Sequence, residues 1–169
     1  MKVLSYPNPF LRHKVKPVNE ITDELRQAVA HMFETMYQAK GIGLAATQVG
    51  IDQAVFVINL TGEPAGEMVF INPELLDAQG NRREPEACLS LPGLEAKINR
   101  SAAVHVRALD LKGEPFEMEE SDFPARVLQH EMDHLSGVLL IDKVGPAARI
   151  GLRGRLKELE QHYRPDDED

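Results

Sequence analysis

The chain has 169 residues, 43% of them hydrophobic and 27% charged, a mixture that suits one folded domain and excludes a disordered or fibrous chain. Its formal net charge is −8, from 27 acidic and 19 basic residues, so the surface as a whole repels a phosphate backbone and argues against DNA as a ligand. No stretch approaches the roughly 20 apolar residues of a spanning helix, and the opening MKVLSYPNPF is too broken by Pro7 and Pro9 for a secretory signal, which predicts a cytoplasmic protein with no membrane partner.

Residues 23–38 place Leu25, Ala28, Val29, Met32, Phe33 and Met36 at spacings of three and four, an apolar stripe that predicts a first helix. Gly41 is expected to stop it by taking the left-handed conformation, with a loop beyond. That segment, GIGLAATQ, happens to match the GxGxxA dinucleotide fingerprint. The match is rejected because the fingerprint needs a strand before it and a helix after it, the reverse of the order predicted here. Its small residues suggest instead the close approach of an extended substrate backbone, and Gln48 supplies an amide that can donate to a developing oxyanion.

The runs AVFVINL and MVFINP, bounded by turn residues, read as strands, and VHVRALD and PFEMEE read as a hairpin around residues 111–114. Asp122 offers an N-cap, with Pro124 in the first turn, for a second helix reaching about Ser136 and followed by Gly137. After GVLLI and the Gly145–Pro146 break, residues 147–162 form a third, charged helix. Residues 1–164 are expected to form one catalytic domain, and 165–169, PDDED, a disordered acidic tail.

The chemistry lies on the second helix. His130, Glu131, Met132, Asp133 and His134 spell HExxH, and histidines four apart on a helix lie about 6 Å apart along its axis, on one face. One cation can therefore touch both rings, and Glu131 is close enough to take a proton from a water on the same ion. No HxxGxxH continuation supplies a third ligand, although Glu158 and Glu160 are formal candidates. The better one is upstream: Cys88, the only thiol, would complete with two imidazoles a favourable set for a d-block ion and leave a coordination position open. Phe123, Val127 and Leu91 are the expected walls of an apolar substrate pocket.

With GIGLAATQ, EACLS and QHEMDH in that order, the chain resembles the peptide deformylases, which remove the formyl group from the initiator methionine of nascent polypeptides. The family patterns are GxGLAAxQ, EGCLS and QHExDH, and the similarity extends over roughly residues 1–145. The departure is Ala87, where the family usually has glycine, which bears on the backbone beside Cys88.

The resemblance implies a single α+β domain with antiparallel β-sheets around a central HExxH helix and with N-terminal and C-terminal helices packed outside. It implies Cys88, His130 and His134 as ligands of one divalent ion, Fe²⁺ first and Ni²⁺, Co²⁺ or Zn²⁺ as substitutes. Glu131 would be the general acid and base, and Gln48 and the Leu89 N–H the oxyanion donors. Ile42 and Gly43 would pair with the main chain of an N-formylmethionyl peptide as an added strand. Arg100 and Asp133 match positions expected to form an ion pair behind the ligand helix. Arg126 stands where an aliphatic residue is common and is expected to snorkel to solvent. The basic residues of the third helix, Arg149, Arg153, Arg155, Lys157 and Arg164, suggest docking on the ribosome.

Overall fold

The computed structural model describes residues 1–165; the expected acidic tail lies, but for Pro165, outside the described residues. Thr22 caps the first helix, α1 (Asp23–Gln38), by accepting from the Leu25 N–H, and the apolar stripe is buried as the spacing predicts. The stop differs from expectation. Lys40, at φ 58°, takes the left-handed position, while the Gly41 N–H bonds to Met36 O at 2.9 Å and completes the closing turn. Gly41 is small for another reason: a Cβ there would lie 2.7 Å from a Leu89 methyl.

GIGLAATQ is less of a loop than expected. It contains a short strand, β1 (Gly43–Ala45), and a 3-10 turn over Ala46–Val49. The predicted strands form β2 (Val55–Asn59) and the long β3 (Glu67–Gln79). The sequence did not announce the next pair, β4 (Arg82–Ala87) and β5 (Glu95–Arg100), which make a separate antiparallel hairpin. The expected hairpin is β6 (Ala103–Leu109) with β7 (Pro115–Ser121).

The main sheet is wholly antiparallel in the order β1-β2-β3-β6-β7, so β1 is an edge strand whose only sheet neighbour among the described residues is β2. The β3–β6 ladder shifts register after Ile71, where Asn72 sits at φ 49° and its side chain bonds Val18 N and O, both at 2.8 Å.

The HExxH helix, α2 (Asp122–Leu135), packs against β1, β2, β6 and β7 through Ala125, Val127, Leu128 and Leu135. It ends as expected at Gly137, φ 71°, where a Cβ would come within 2.4 Å of Arg12 O. A third helix, α3 (Pro146–His162), lies outside and half-buries Leu152, Leu156 and Leu159 against a second apolar cluster. The first cluster joins α1, the main sheet and α2; the second joins the N-terminal segment, Cys88, Leu91, Leu94, Ile98 and Leu139–Ile141. The seam between them brings Cys88, from one, to α2, from the other.

Candidate metal centre and its cleft

A helix repeats every 3.6 residues, so Arg126, His130 and His134 fall on one stripe of α2, and this stripe faces the segment that follows β4. There Cys88 Sγ lies 3.3 Å from His134 Nε2, which lies 3.2 Å from His130 Nε2. All three donor atoms are within 4.8 Å of one another, the only such His/Cys/Asp/Glu group found among the described residues. Glu158 and Glu160 are elsewhere on α3, held by Arg155 and the Tyr6 hydroxyl.

The donor set suits a metal ion. Atoms bonded at about 2.0–2.3 Å to a tetrahedral ion lie roughly 3.3–3.6 Å apart, close to the separations seen. The surroundings also invite positive charge. Burial works against a proton on His130, but the contacts with Cys88 and Glu86 and the attraction of Glu131 outweigh it and push its pKa up to about 10. His134, wholly buried, is pushed well below the ordinary histidine range by burial and then by the charge of His130, as a neutral ligand requires.

The His130 ring is held from behind. Its Nδ1 lies 2.9 Å from Glu86 Oε2, fixing a tautomer whose Nε2 is free to point at the other donors. Arg100 grips both oxygens of Glu86, at 2.6 and 3.0 Å, and reaches Asp133 at 2.7 Å, so the expected Arg100–Asp133 pair is present. Burial alone would raise the Glu86 carboxyl, yet the hydrogen bonds from His130 and Arg100 hold it down at about 2. Glu86, the one buried residue of β4, escaped notice in the sequence, although a carboxylate two residues before the lone thiol was the available signal.

Arg126 departs from its expected place. It is only 6% exposed and donates to Glu86 Oε1 at 2.8 Å, Arg82 O at 2.9 Å and Ile98 O at 3.3 Å. The unpaired buried charge that made snorkelling the cheaper option does not arise, because Glu86 neutralises it.

Above the cluster opens a cleft of about 700 Å³, a size suited to a small substrate segment. Its lining includes Ile42, Gly43, Gln48, Cys88, Leu89, Phe123, Val127, His130 and Glu131. Glu131 is buried, and one carboxylate oxygen, Oε2, has no hydrogen-bond partner among the described residues. Burial, with a smaller push from Glu86, overrides the attraction of His130 and Arg100 and raises its pKa to about 7.

Gly43 is glycine of necessity: a Cβ would stand 2.4 Å from Glu131 Oε1. Gln48 is locked, its Oε1 accepting from the Ala45 N–H at 2.9 Å, so that Nε2 is turned to Ser90 Oγ at 3.1 Å and Cys88 Sγ at 3.7 Å. Ser90, fully buried, was not singled out from the sequence. Ala87 lies on an extended strand without positive φ, so its methyl costs no backbone strain.

Leu91 does not line the cleft. A turn closed by the Leu91 N–H on Cys88 O reverses the chain and drops Leu91, 1% exposed, into the second core. Pro92 and Gly93 take its place in the wall.

An antiparallel α+β fold wrapped around an HExxH helix, with a thiol folded back onto that helix, defines a hydrolase with a candidate metal site. Residues 1–149 match the polypeptide deformylase family, and the chain belongs to it. A peptide deformylase of Acidobacterium capsulatum is 43% identical over 161 residues, covering 94% of this chain and 95% of its own. Arabidopsis thaliana peptide deformylase 1B, solved with an inhibitor, is 39% identical with a TM-score of 0.92, over 96% of this chain and 92% of that one. The Plasmodium falciparum peptide deformylase superposes with a TM-score of 0.92 at 35% identity, over 95% of this chain and 96% of that one. The chain is thus a peptide deformylase-type enzyme acting on the formyl group of nascent peptides, and both the family and the α+β fold agree with what the motifs imply. No helix among the described residues is long and apolar enough to cross a membrane.

Proposed function

We propose that the chain performs deformylation with one divalent cation held by Cys88, His130 and His134, with Glu131 as the proton carrier. The convergence of those three donor atoms within 4.8 Å, beside a buried carboxylate on the cleft wall, carries the proposal. When bound, the cation supplies Lewis acidity, which polarises the formyl carbonyl and makes a water acidic enough to react near neutral pH. Fe²⁺ is the ion favoured by the family resemblance, and Ni²⁺, Co²⁺ or Zn²⁺ suit the same thiolate–imidazole set.

The residues of the chain divide the remaining work. Ile42 and Gly43, at the edge of the sheet beside the cleft, hold the substrate main chain as an added strand. Val127, with Phe123 at the mouth, packs on the methionine side chain. Glu131 takes a proton from the attacking water as its oxygen bonds to the formyl carbon. The tetrahedral oxyanion accepts hydrogen bonds from Gln48 Nε2 and the Leu89 N–H. Glu131 then returns the proton to the amine nitrogen as the C–N bond breaks, releasing formate and the free N-terminus.

Glu131→Gln tests the assignment. It should retain the metal content of the parent while formate release from a formyl-Met peptide falls at least a hundredfold. Parental turnover in that variant would defeat the role of Glu131. Metal analysis of protein purified without oxygen tests the preference for Fe²⁺. A second element concerns α3, where Arg149, Arg153 and Lys157 make an exposed basic stripe at intervals of four. That stripe suits the phosphates of ribosomal RNA. Unchanged ribosome co-sedimentation after reversing the three charges would refute it.

A further inference from the structure

We infer that Arg126 is a positioning residue for the metal centre, acting through Glu86 on His130; the inference rests on the metal-centre reading above. The three donor atoms come from two units that pack separately. Cys88 directly follows β4, in the connection between β4 and β5, and belongs to the second apolar cluster, whereas both histidines ride on α2, which is anchored in the first. Something must hold the hairpin and the helix in register to a fraction of an ångström, because metal bonds tolerate little more.

Arg126 has the contacts for this task. From α2 its guanidinium reaches the backbone of both hairpin strands, Arg82 O on β4 and Ile98 O on β5, and it also binds Glu86 two residues before Cys88. The same Glu86 holds His130 Nδ1 through its other oxygen, so one side chain ties the thiol-bearing segment to the ring it must meet. Arg126 and Arg100 both pair with the buried Glu86 carboxylate, while the half-buried Asp133 is shared by Arg100 and Lys143. An aliphatic side chain at 126 would supply neither the charge nor the three hydrogen bonds, and Arg100 would then hold Glu86 from one side only.

Titration of the metal-free protein with Co²⁺, followed by the visible absorption of thiolate-bound cobalt, tests this independently of turnover. Arg126→Met should bind Co²⁺ 10- to 100-fold more weakly than the parent, the range found when an outer partner of a ligand is removed. With metal saturating, its KM for a formyl-Met peptide should stay within about twofold. Val106→Ala, a truncation in the sheet core away from the cleft, serves as the control for simple loss of stability and should bind Co²⁺ like the parent. Should Arg126→Met fail to fold, Arg126→Gln keeps a donor but not the charge, and at least fivefold weaker binding is expected. Parental Co²⁺ affinity in the folded variant, or an equal loss in Val106→Ala, overturns the inference. A cobalt band that survives Cys88→Ala would instead bring down the metal-centre reading, and the inference with it.

Discussion

Gly43→Ala is the sharpest probe of how the cleft is built. The added methyl carbon would stand 2.4 Å from Glu131 Oε1, 2.9 Å from its Cδ and 3.1 Å from its Cγ, against an ordinary contact beginning near 3.4 Å. Relief therefore requires about 1 Å of movement. The strand cannot easily yield, since Gly43 pairs with Ile58 in the main sheet, and so the buried carboxylate has to move.

Displacing a reacting group by about 1 Å costs on the order of a hundredfold in rate, or about 2.7 kcal/mol of transition-state stabilisation. The expected result is that fall in kcat/KM for a formyl-Met peptide, with Co²⁺ affinity within a few-fold of the parent because no metal ligand is touched. Repeating the substitution in a Glu131→Asp background identifies the cause. The shorter side chain leaves room for the methyl, so Gly43→Ala should cost several-fold less there. Full activity of Gly43→Ala, or an identical loss in both backgrounds, would refute the steric explanation.

Three further outcomes are expected. Gln48→Ala should lower kcat by about 10²- to 10³-fold with little change in KM, because in the proposed mechanism the locked amide would serve the oxyanion and not the resting substrate; steady-state kinetics decide it. Cys88→Ala should leave the metal-free fold intact by circular dichroism but abolish stoichiometric metal retention, since two histidines alone make a poor site. Asp142→Asn tests a site far from the chemistry. Burial works upward on the Asp142 carboxyl, but Arg12 and the Leu139 N–H outweigh it and hold it below the ordinary aspartate value. A depressed folded-state pKa gives stability that is present above the unfolded pKa, about 4, and lost as pH falls through the folded one. Parent and variant should therefore differ in urea midpoint at pH 7 and converge as the pH falls through the depressed folded-state value.

Local patterns were legible in the sequence because their causes are local. The 3.6-residue stripe of α1, the β6–β7 hairpin and the HExxH spacing depend on a few neighbouring residues, and each element lies where the pattern predicts. The β4–β5 hairpin was less visible. Its alternation is short and partly carried by a buried arginine, Arg100, whose burial makes sense only once Glu86 and Asp133 are seen around it.

Leu91 and Arg126 mark the boundary between what sequence and tertiary structure decide. The apolar character of Leu91 required burial but did not choose between cleft and core, and a turn after Cys88 settled that. The charge of Arg126 predicted exposure until packing brought a carboxylate from 40 residues away. Chain chemistry by itself determined which groups could bind a metal, move a proton or donate to an oxyanion. Only packing at the seam of two apolar clusters decided which of them meet, because contact between distant residues depends on how whole elements share a core.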